Sequence, residues 1–525
     1  MEDVKGKSKR GLLRIIFGRT TFFILFTGLQ ISVLLWIYLW LDDKYQAYGY
    51  GVFTLIGAIL AIRILNEKQN ASFKMAWLIP VLLFPVFGGL FYVFIQIQLE
   101  TKLLARRLRE IGTKTKHYLA QNQIVFDRLA EKSRTNANLC HYLSESVGFP
   151  VYDRTNFRYY PLGDDFFREL LDELRGAEKF IFLEYFIIQP GVMWDTIFGI
   201  LEEKAKKGVD VRIMYDGMNS FSNLPHDYPK LLKEKNIKCR VFNPIRPAIS
   251  TSQNNRDHRK ILVIDGHTAY TGGVNLADEY INRKSRFGHW KDNAIRLKGE
   301  AVKSFTVMFL QMWCVCSKPQ ECDFDFSSFL DTGDHFHSPA LDMDGYSVPF
   351  SDSPLDHEPV GHLLYLDIIY QAKKYVYIMT PYLVLDDDMI TALSFAAKRG
   401  VDTMILMPHI PDKKYAFMLA HSYYPELIEA GVKIYEYLPG FIHSKTFVSD
   451  DEKAVVGSIN MDFRSQYLNF ECGVYIYRNA VIRDIRKDFE ETVPKCIRIT
   501  QESCQQFSPL HRFMGSTLRL IAPLM

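Results

Sequence analysis

The chain has 525 residues, 48% hydrophobic and 23% charged, with a formal net charge of +3. That length calls for two or more domains, and so small a charge excludes a protein held to nucleic acid by bulk electrostatics. The eight cysteines form no Cys-x-x-Cys, and no pair lies near a His pair at zinc spacing. Buried or surface thiols in a reducing, cytosolic compartment are therefore expected, with no structural metal.

The first hundred residues hold the long apolar runs. Residues 22–41, "FFILFTGLQISVLLWIYLWL", are free of charge and long enough for a hydrocarbon core of ~30 Å. A signal peptide is disfavoured, because the run exceeds a signal core and lacks a small-residue cleavage site. A second run, 51–65, is shorter and carries Arg63; a third, 76–96, contains Pro80, Pro85 and Gly88-Gly89. Lys5, Lys7, Lys9, Arg10 and Arg14 precede the first run, and Lys102, Arg106, Arg107 and Arg109 follow the third. Basic flanks on both sides require an even number of crossings, so one of the later runs does not span. The sequence leaves open which. Residues 1–100 are thus expected to be a multi-pass membrane region and 101–141 a linker or amphipathic segment. The rest belongs on the cytosolic face, close to lipid.

From about Tyr142 strands and helices alternate, and the pattern occurs twice. "AEKFIFLEYFI" (177–187) matches "AKKYVYIMTPY" (372–382), "AKKGVDVRIMY" (205–215) matches "AAKRGVDTMILM" (396–407), and "NIKCRVFNP" (236–244) matches "GVKIYEYLP" (431–439). Two homologous α/β lobes follow, 142–340 and 341–525, the second including a C-terminal tail. The turn-rich stretch His337–Pro359 is expected to link them.

In each lobe the repeat ends on one spaced motif. "HRKILVIDGHTAYTGGVN" begins at His258 and "HSKTFVSDDEKAVVGSIN" at His443. In both, Lys lies two residues after His, Asp seven, Gly fourteen and Asn seventeen. Strand periodicity puts His258 with Lys260, and His443 with Lys445, on one face. Asp265-Gly266 and Asp450-Asp451 are turn residues, so each motif reads as a hairpin. The fold-back returns Gly272, Gly273 and Asn275, and likewise Gly457, Ser458 and Asn460, to the His-Lys end. The small residues are expected to admit a ligand and the Asn to donate to it. Packed about a pseudo-twofold axis, the lobes would share one cleft with two His, two Lys and two Asn. Such a set suits a phosphodiester without a metal: one His attacks phosphorus, the other protonates the leaving oxygen, and Lys and Asn hold the remaining oxygens. Asp292 and Glu471, one after each motif, are the candidates to orient the imidazoles.

The duplicated His-x-Lys-x4-Asp with its downstream Gly-[Gly/Ser]-x-Asn resembles the phospholipase D superfamily. Within it, the motifs, the apolar front with "AWLIPVLLFPVFGGLFYVF" and the terminal "LIAPLM" resemble the bacterial cardiolipin synthases over nearly the whole chain. The resemblance implies mixed β-sheets flanked by helices around a pseudo-twofold cleft. It implies transfer of a phosphatidyl group between two phosphatidylglycerols through a phosphohistidine, without a cofactor, at a bacterial cell membrane. His258 is assigned as nucleophile and His443 as general acid and base, an order that pseudo-symmetry could reverse. One imidazole is expected neutral and the other cationic. His258, Lys260, Asp265, His443, Lys445 and Asp450 are carried over as the catalytic set, with Asn275, Asn460, Asp292 and Glu471 supporting. Glu184, on the strand "FIFLEYFI", is expected to line the cleft. A nuclease should be basic and lack apolar runs, and a scaffold with degenerate motifs should have lost a His or Lys. A hydrolase, or a transferase with another acceptor such as one forming phosphatidylserine, would carry the same residues.

Overall fold

The computed structural model describes residues 43–96, 99–244, 254–322, 325–330 and 345–524, with isolated positions 28, 32, 35 and 39. It divides into two compact units, one of residues 1–103, 245–253 and 520–525, the other of 104–244 and 254–519.

In the first unit the apolar run 51–65 forms the greater part of a helix, Asp43–Leu65. The run 76–96 is broken into helices Ala71–Leu83 and Pro85–Gln96, of 13 and 12 residues, each shorter than the ~20 residues a span requires. Phe84 leaves the helical conformation, and Pro85 opens the next helix, where a missing N–H costs little. The second helix folds back tightly: a Cβ on Gly88 would lie 2.1 Å from the Pro80 carbonyl oxygen. Ile64, Trp77, Leu78, Val81 and Tyr92 form the core of this unit, and Leu524 packs against it. Among the described residues no helix is long and apolar enough to cross a membrane. The run 22–41 lies outside the described residues, apart from the four isolated positions.

The second unit holds both repeats. The first sheet contains β1 (Thr155–Tyr160), β2 (Phe180–Tyr185), β3 (Asp210–Asp216), β4 (Lys238–Phe242), β5 (Ile261–Ile264), β6 (Thr268–Gly272) and β8 (Ala294–Gly299), with β7 (His289–Lys291) outside it. The second contains β9 (Tyr346–Asp352), β10 (Tyr375–Met379), β11 (Asp402–Pro408), β12 (Lys433–Tyr437), β14 (Thr446–Ser449), β15 (Lys453–Gly457), β16 (Glu471–Tyr477) and β17 (Cys496–Ile499), with β13 (Gly440–Ile442) outside. Their orders are β1-β8-β6-β5-β2-β3-β4 and β9-β16-β15-β14-β10-β11-β12-β17. Strand for strand these are the same arrangement, with β17 added at one edge. Both sheets are mixed: β2, β3 and β4 run parallel, as do β10, β11 and β12, and the motif hairpins are antiparallel. Every residue of β2 is buried, as a strand in the middle of a helix-covered sheet must be.

Three expectations change. The stretch His337–Pro359 is not wholly a linker, because Tyr346–Asp352 pairs with β16 as an edge strand. Within the segment 101–141, expected as a linker or amphipathic segment, residues 104–141 are helices tied to the lobes: Arg107 donates to the Cys314 carbonyl at 2.7 Å, Gln311 to Thr115 Oγ1 at 2.8 Å, and Tyr475 to Asn136 Oδ1 at 2.8 Å. Cys314 and Cys322 form a disulfide, because the turn after helix Val302–Cys316 brings their Cα atoms to 5.1 Å; Cys140, Cys239, Cys316, Cys472, Cys496 and Cys504 are free thiols.

Candidate active site

Each motif is a strand and a tight turn, as its pattern requires. Asp265 and Gly266 lie at φ 51° and 74°, and Asp450 and Asp451 both at 57°, the left-handed conformations of the hairpin turn that matches strand twist. The two motif aspartates serve the turns. Asp265 accepts from the amides of Glu178, Lys179 and Phe180 at 2.7 Å each, and Asp450 from those of Lys373, Lys374 and Tyr375 at 2.8 to 2.9 Å. Each carboxylate anchors its hairpin to the start of the adjacent central strand. Seven residues of extended chain, roughly 20 Å, separate it from the histidine.

At the other end of the hairpins the two lobes exchange partners. The His258 amide donates to the Phe470 carbonyl at 2.9 Å, and the His443 amide to that of Lys291 at 2.7 Å. Phe470 and Lys291 directly precede Glu471 and Asp292. Consequently His258 Nδ1 meets Glu471 at 2.8 and 2.9 Å, and His443 Nδ1 meets Asp292 at 2.6 Å. Each carboxylate follows one motif in sequence and orients the histidine of the other.

The small residues of the motif make this crossing possible. A Cβ on Gly273 would lie 2.0 Å from Asp292 Oδ1 and 3.0 Å from the His443 carbonyl oxygen. At the matching position Ser458 donates to Glu471 Oε2 at 2.5 Å. Gly272 and Gly457 admit neighbouring strands: a Cβ on them would lie 2.4 Å from the carbonyl oxygens of Asn293 and Cys472 respectively. These residues therefore make room for protein, not for a ligand as their size suggested.

Lys260 Nζ donates to the His258 carbonyl at 2.5 Å, and Lys445 to that of His443. Both lysines are buried, and burial lowers their pKa values to about 8 and about 7 respectively. Burial likewise holds His258 at about 4 against the pull of Glu471. It brings His443 to about 3, with Lys445 adding to the effect. Both imidazoles are thus neutral at pH 7, in place of the neutral and cationic pair expected. Burial opposes ionisation of Asp292 and Glu471, but the histidines and lysines beside them lower both pKa values. Lys445 also acts on His258 and Lys260 on His443, so the two motifs share one electrostatic site. Its walls are aromatic: Phe186 lies 5.1 Å from the His258 ring, and Tyr280, Trp290 and Phe441 lie 5.5, 5.4 and 5.9 Å from that of His443.

The remaining candidates have other partners. Asn275 accepts from the Ile187 amide at 3.0 Å and donates to Tyr280 at 2.8 Å, and Asn460 donates to Ser465 at 3.0 Å. Their amides brace the loops after the hairpins. Glu184 does not line a cleft; it is fully buried against Arg259, which also meets Asp257 at 3.2 Å. Arg259 alternates with His258 and Lys260 in the segment leading into β5 and so faces the opposite way. Burial works against its charge, but Glu184 and Asp257 raise its pKa overall. That alternation was the signal for Arg259. Tyr280, five residues beyond Asn275, had none. Among the described residues one His/Asp group has metal-like spacing, His362, Asp386 and Asp388. There Asp386 already accepts from Tyr467 at 2.6 Å and from the Met389 amide at 3.0 Å.

The family model described as "Cardiolipin synthase, PLD-like domain" matches residues 170–313 and 365–493, and one described as "Phospholipase_D-nuclease N-terminal" matches 53–96. A Streptococcus mutans protein of uncharacterized function is 48% identical over 90% of this chain and 100% of its own. Cardiolipin synthases of Alkalihalophilus pseudofirmus and Halalkalibacterium halodurans are 34% and 33% identical, covering 90% and 96% of this chain and 93% and 98% of theirs. The fold matches the crystal structure of phosphatidylserine synthase from Haemophilus influenzae with a TM-score of 0.57 at 14% identity, over 75% of this chain and 99% of that one. With both motifs intact and crossed onto each other's carboxylates, the chain belongs to the phospholipase D-like cardiolipin synthase family.

Proposed function

We propose that the chain makes cardiolipin from two molecules of phosphatidylglycerol. The observation that carries the reading is the pair of crossed carboxylate–imidazole contacts, Glu471 to His258 and Asp292 to His443. Each holds a proton on Nδ1 and leaves Nε2 with its lone pair, the tautomer a nucleophile or base requires. A phosphodiester anion beside Lys260 and Lys445 raises the pKa of every basic group near it, so His443 takes up a proton as substrate binds. His258 Nε2 then attacks phosphorus. The bond to glycerol breaks, and His443 gives its proton to the departing oxygen. In the second half His443 removes the proton from the terminal hydroxyl of another phosphatidylglycerol. That oxygen attacks phosphorus, the phosphorus–nitrogen bond breaks, and cardiolipin leaves with His258 restored. The lysine ammonium groups stabilise the charge that develops on the nonbridging oxygens.

The lipid substrate fits the apolar first unit, of which residues 53–96 match the family model described as "Phospholipase_D-nuclease N-terminal". Its basic flanks support a multi-pass arrangement with the catalytic lobes on the cytosolic face. The test is to incubate purified protein in vesicles with phosphatidylglycerol alone and measure glycerol and product lipid. Equimolar glycerol and cardiolipin are expected. Phosphatidic acid instead would mean water is the acceptor, and a requirement for a CDP-activated lipid would overturn the proposal.

A further inference from the structure

The two strands outside the main sheets carry the residues on either side of one imidazole. β7 and β13 run parallel with Lys291 opposite Ile442, so the residues that follow, Asp292 and His443, leave this ribbon side by side. Lys291 and Asn293 flank Asp292 in sequence, and both side chains end in one buried network. Lys291 Nζ donates to Asp488 Oδ1 at 2.6 Å and to the Pro161 carbonyl at 3.3 Å. Asp488 stands on helix Val481–Thr492, and its Oδ2 accepts from the Tyr159 hydroxyl at 2.8 Å. Asn293 donates to the same tyrosine oxygen at 3.3 Å and to Thr446 Oγ1 at 2.5 Å. Thr446 directly follows Lys445. The side chains of Lys291 and Asp488 are each 5% exposed.

The other carboxylate is seated differently. Phe470 takes the place of Lys291 before Glu471, and its ring packs against that of Phe242 at 5.4 Å. Cys472 takes the place of Asn293, 3.5 Å from Thr271 Oγ1. The neighbours of Glu471 are thus apolar, while those of Asp292 are polar and ion-paired. Apolar side chains of similar volume would serve stability as well as a buried ion pair or better, so stability alone does not account for Lys291 and Asp488. What the directional contact adds is a fixed place for the Lys291 backbone, whose carbonyl receives the His443 amide at 2.7 Å. The asymmetry follows the division of labour in the reaction proposed above, on which this inference rests. His258 makes and breaks one bond to phosphorus, whereas His443 gives a proton to one oxygen and takes one from another. Its ring must therefore keep its place while one alcohol replaces the other. We propose that Asp488 is a positioning residue for these proton transfers: through Lys291 it holds Asp292 and His443 in register.

The test separates proton transfer from attack on phosphorus. Asp488→Asn alone leaves the Lys291 ammonium buried without its carboxylate and endangers the fold. Asp488→Asn together with Lys291→Met removes both charges and keeps an oxygen for the Tyr159 hydroxyl. In vesicles of phosphatidylglycerol the kcat of this double variant is expected to fall about 10–100-fold, with KM little changed. The second substrate is a phosphatidyl ester of p-nitrophenol, whose departing oxygen needs no proton. With it the first turnover should release p-nitrophenolate at the wild-type rate, and only later turnovers, which need His443 to activate the acceptor, should slow. A first turnover slowed as much as the later ones would reduce the pair to a structural role and overturn the proposal. Wild-type turnover of phosphatidylglycerol by the double variant would overturn it too. Phosphatidic acid in place of cardiolipin would change the acceptor proposed above but not this comparison, because water also passes its proton to His443.

Discussion

His258 Nδ1 lies 2.8 Å from Glu471 Oε1, across 213 residues and from one lobe to the other. With its counterpart between His443 and Asp292, this makes each lobe incomplete alone: a lobe supplies one imidazole and the carboxylate that orients its partner's. Glu471→Gln and Asp292→Asn keep the shape but disturb the tautomer. Each is expected to lower kcat by about 10²–10⁴-fold with smaller changes in KM. A loss confined to KM would show that the carboxylates hold substrate instead.

The motif aspartates should behave differently. Asp265 is the shared acceptor of three backbone amides, and its removal leaves donors without partners. Asp265→Ala is expected to cost about 3 kcal/mol, read from the denaturant midpoint. Activity per folded molecule should change far less than in Glu471→Gln. Equal damage to both measures would place Asp265 closer to the chemistry than its contacts do.

The buried histidines set a pH signature. Burial holds His258 at about 4 and His443 at about 3, below the roughly 6.5 of an unfolded chain. Between those values the unfolded state binds more protons, so stability is full above pH ~6.5 and falls as acid is added, by about 1.4 kcal/mol per pH unit for each histidine. The depressed lysines give the same sign at the alkaline end, with stability rising as pH increases towards ~10.5, from about 7 for Lys445 and about 8 for Lys260. Denaturation of wild type and His443→Gln across pH 4–7 should show a shallower slope in the variant. Parallel curves would mean that the imidazole is already charged in the folded protein.

The repeat, the hairpins and the turn role of Asp265 and Asp450 were legible because each follows from local spacing: period two along a strand, and left-handed residues where the chain reverses. The strand order of the second sheet repeats that of the first, which the four matched segments anticipate. What spacing could not carry was pairing between lobes. Asp292 and Glu471 were recognisable as carboxylates that follow each motif, but which histidine each serves depends on Phe470 and Lys291 presenting carbonyls across the lobes. The small residues misled for the same reason: an open position in sequence does not say whether a ligand or another strand fills it. Glu184 misled because its charge partner, Arg259, lies 75 residues later, just before β5.

That buried pair gives a further expectation. Arg259 has 4% of its side chain exposed and Glu184 none, so neither charge can turn to water. Glu184→Gln removes one partner and is expected to destabilise by about 3–5 kcal/mol. Glu184→Gln combined with Arg259→Met should recover part of that loss, measured by thermal or denaturant unfolding. No recovery in the double variant would mean that the two charges are not each other's main support.

The order of the two histidines can be separated by making the acid unnecessary. With a phosphatidyl ester of p-nitrophenol, the departing oxygen is stable as an anion and needs no proton, so attack on phosphorus alone breaks the bond. If His258 is the nucleophile, His443→Ala should still release a burst of p-nitrophenolate stoichiometric with enzyme and then stall, because no base activates the second alcohol. His258→Ala should show no burst, although its acid and both lysines remain. The covalent adduct in His443→Ala should be labile to acid and stable to base, as a phosphoramidate is. Bursts in the reverse pair of variants would assign the attack to His443. The site's aromatic asymmetry, with Tyr280, Trp290 and Phe441 around His443 and Phe186 beside His258, would then serve the opposite order. A burst in neither variant would show that each histidine is needed for the first step itself.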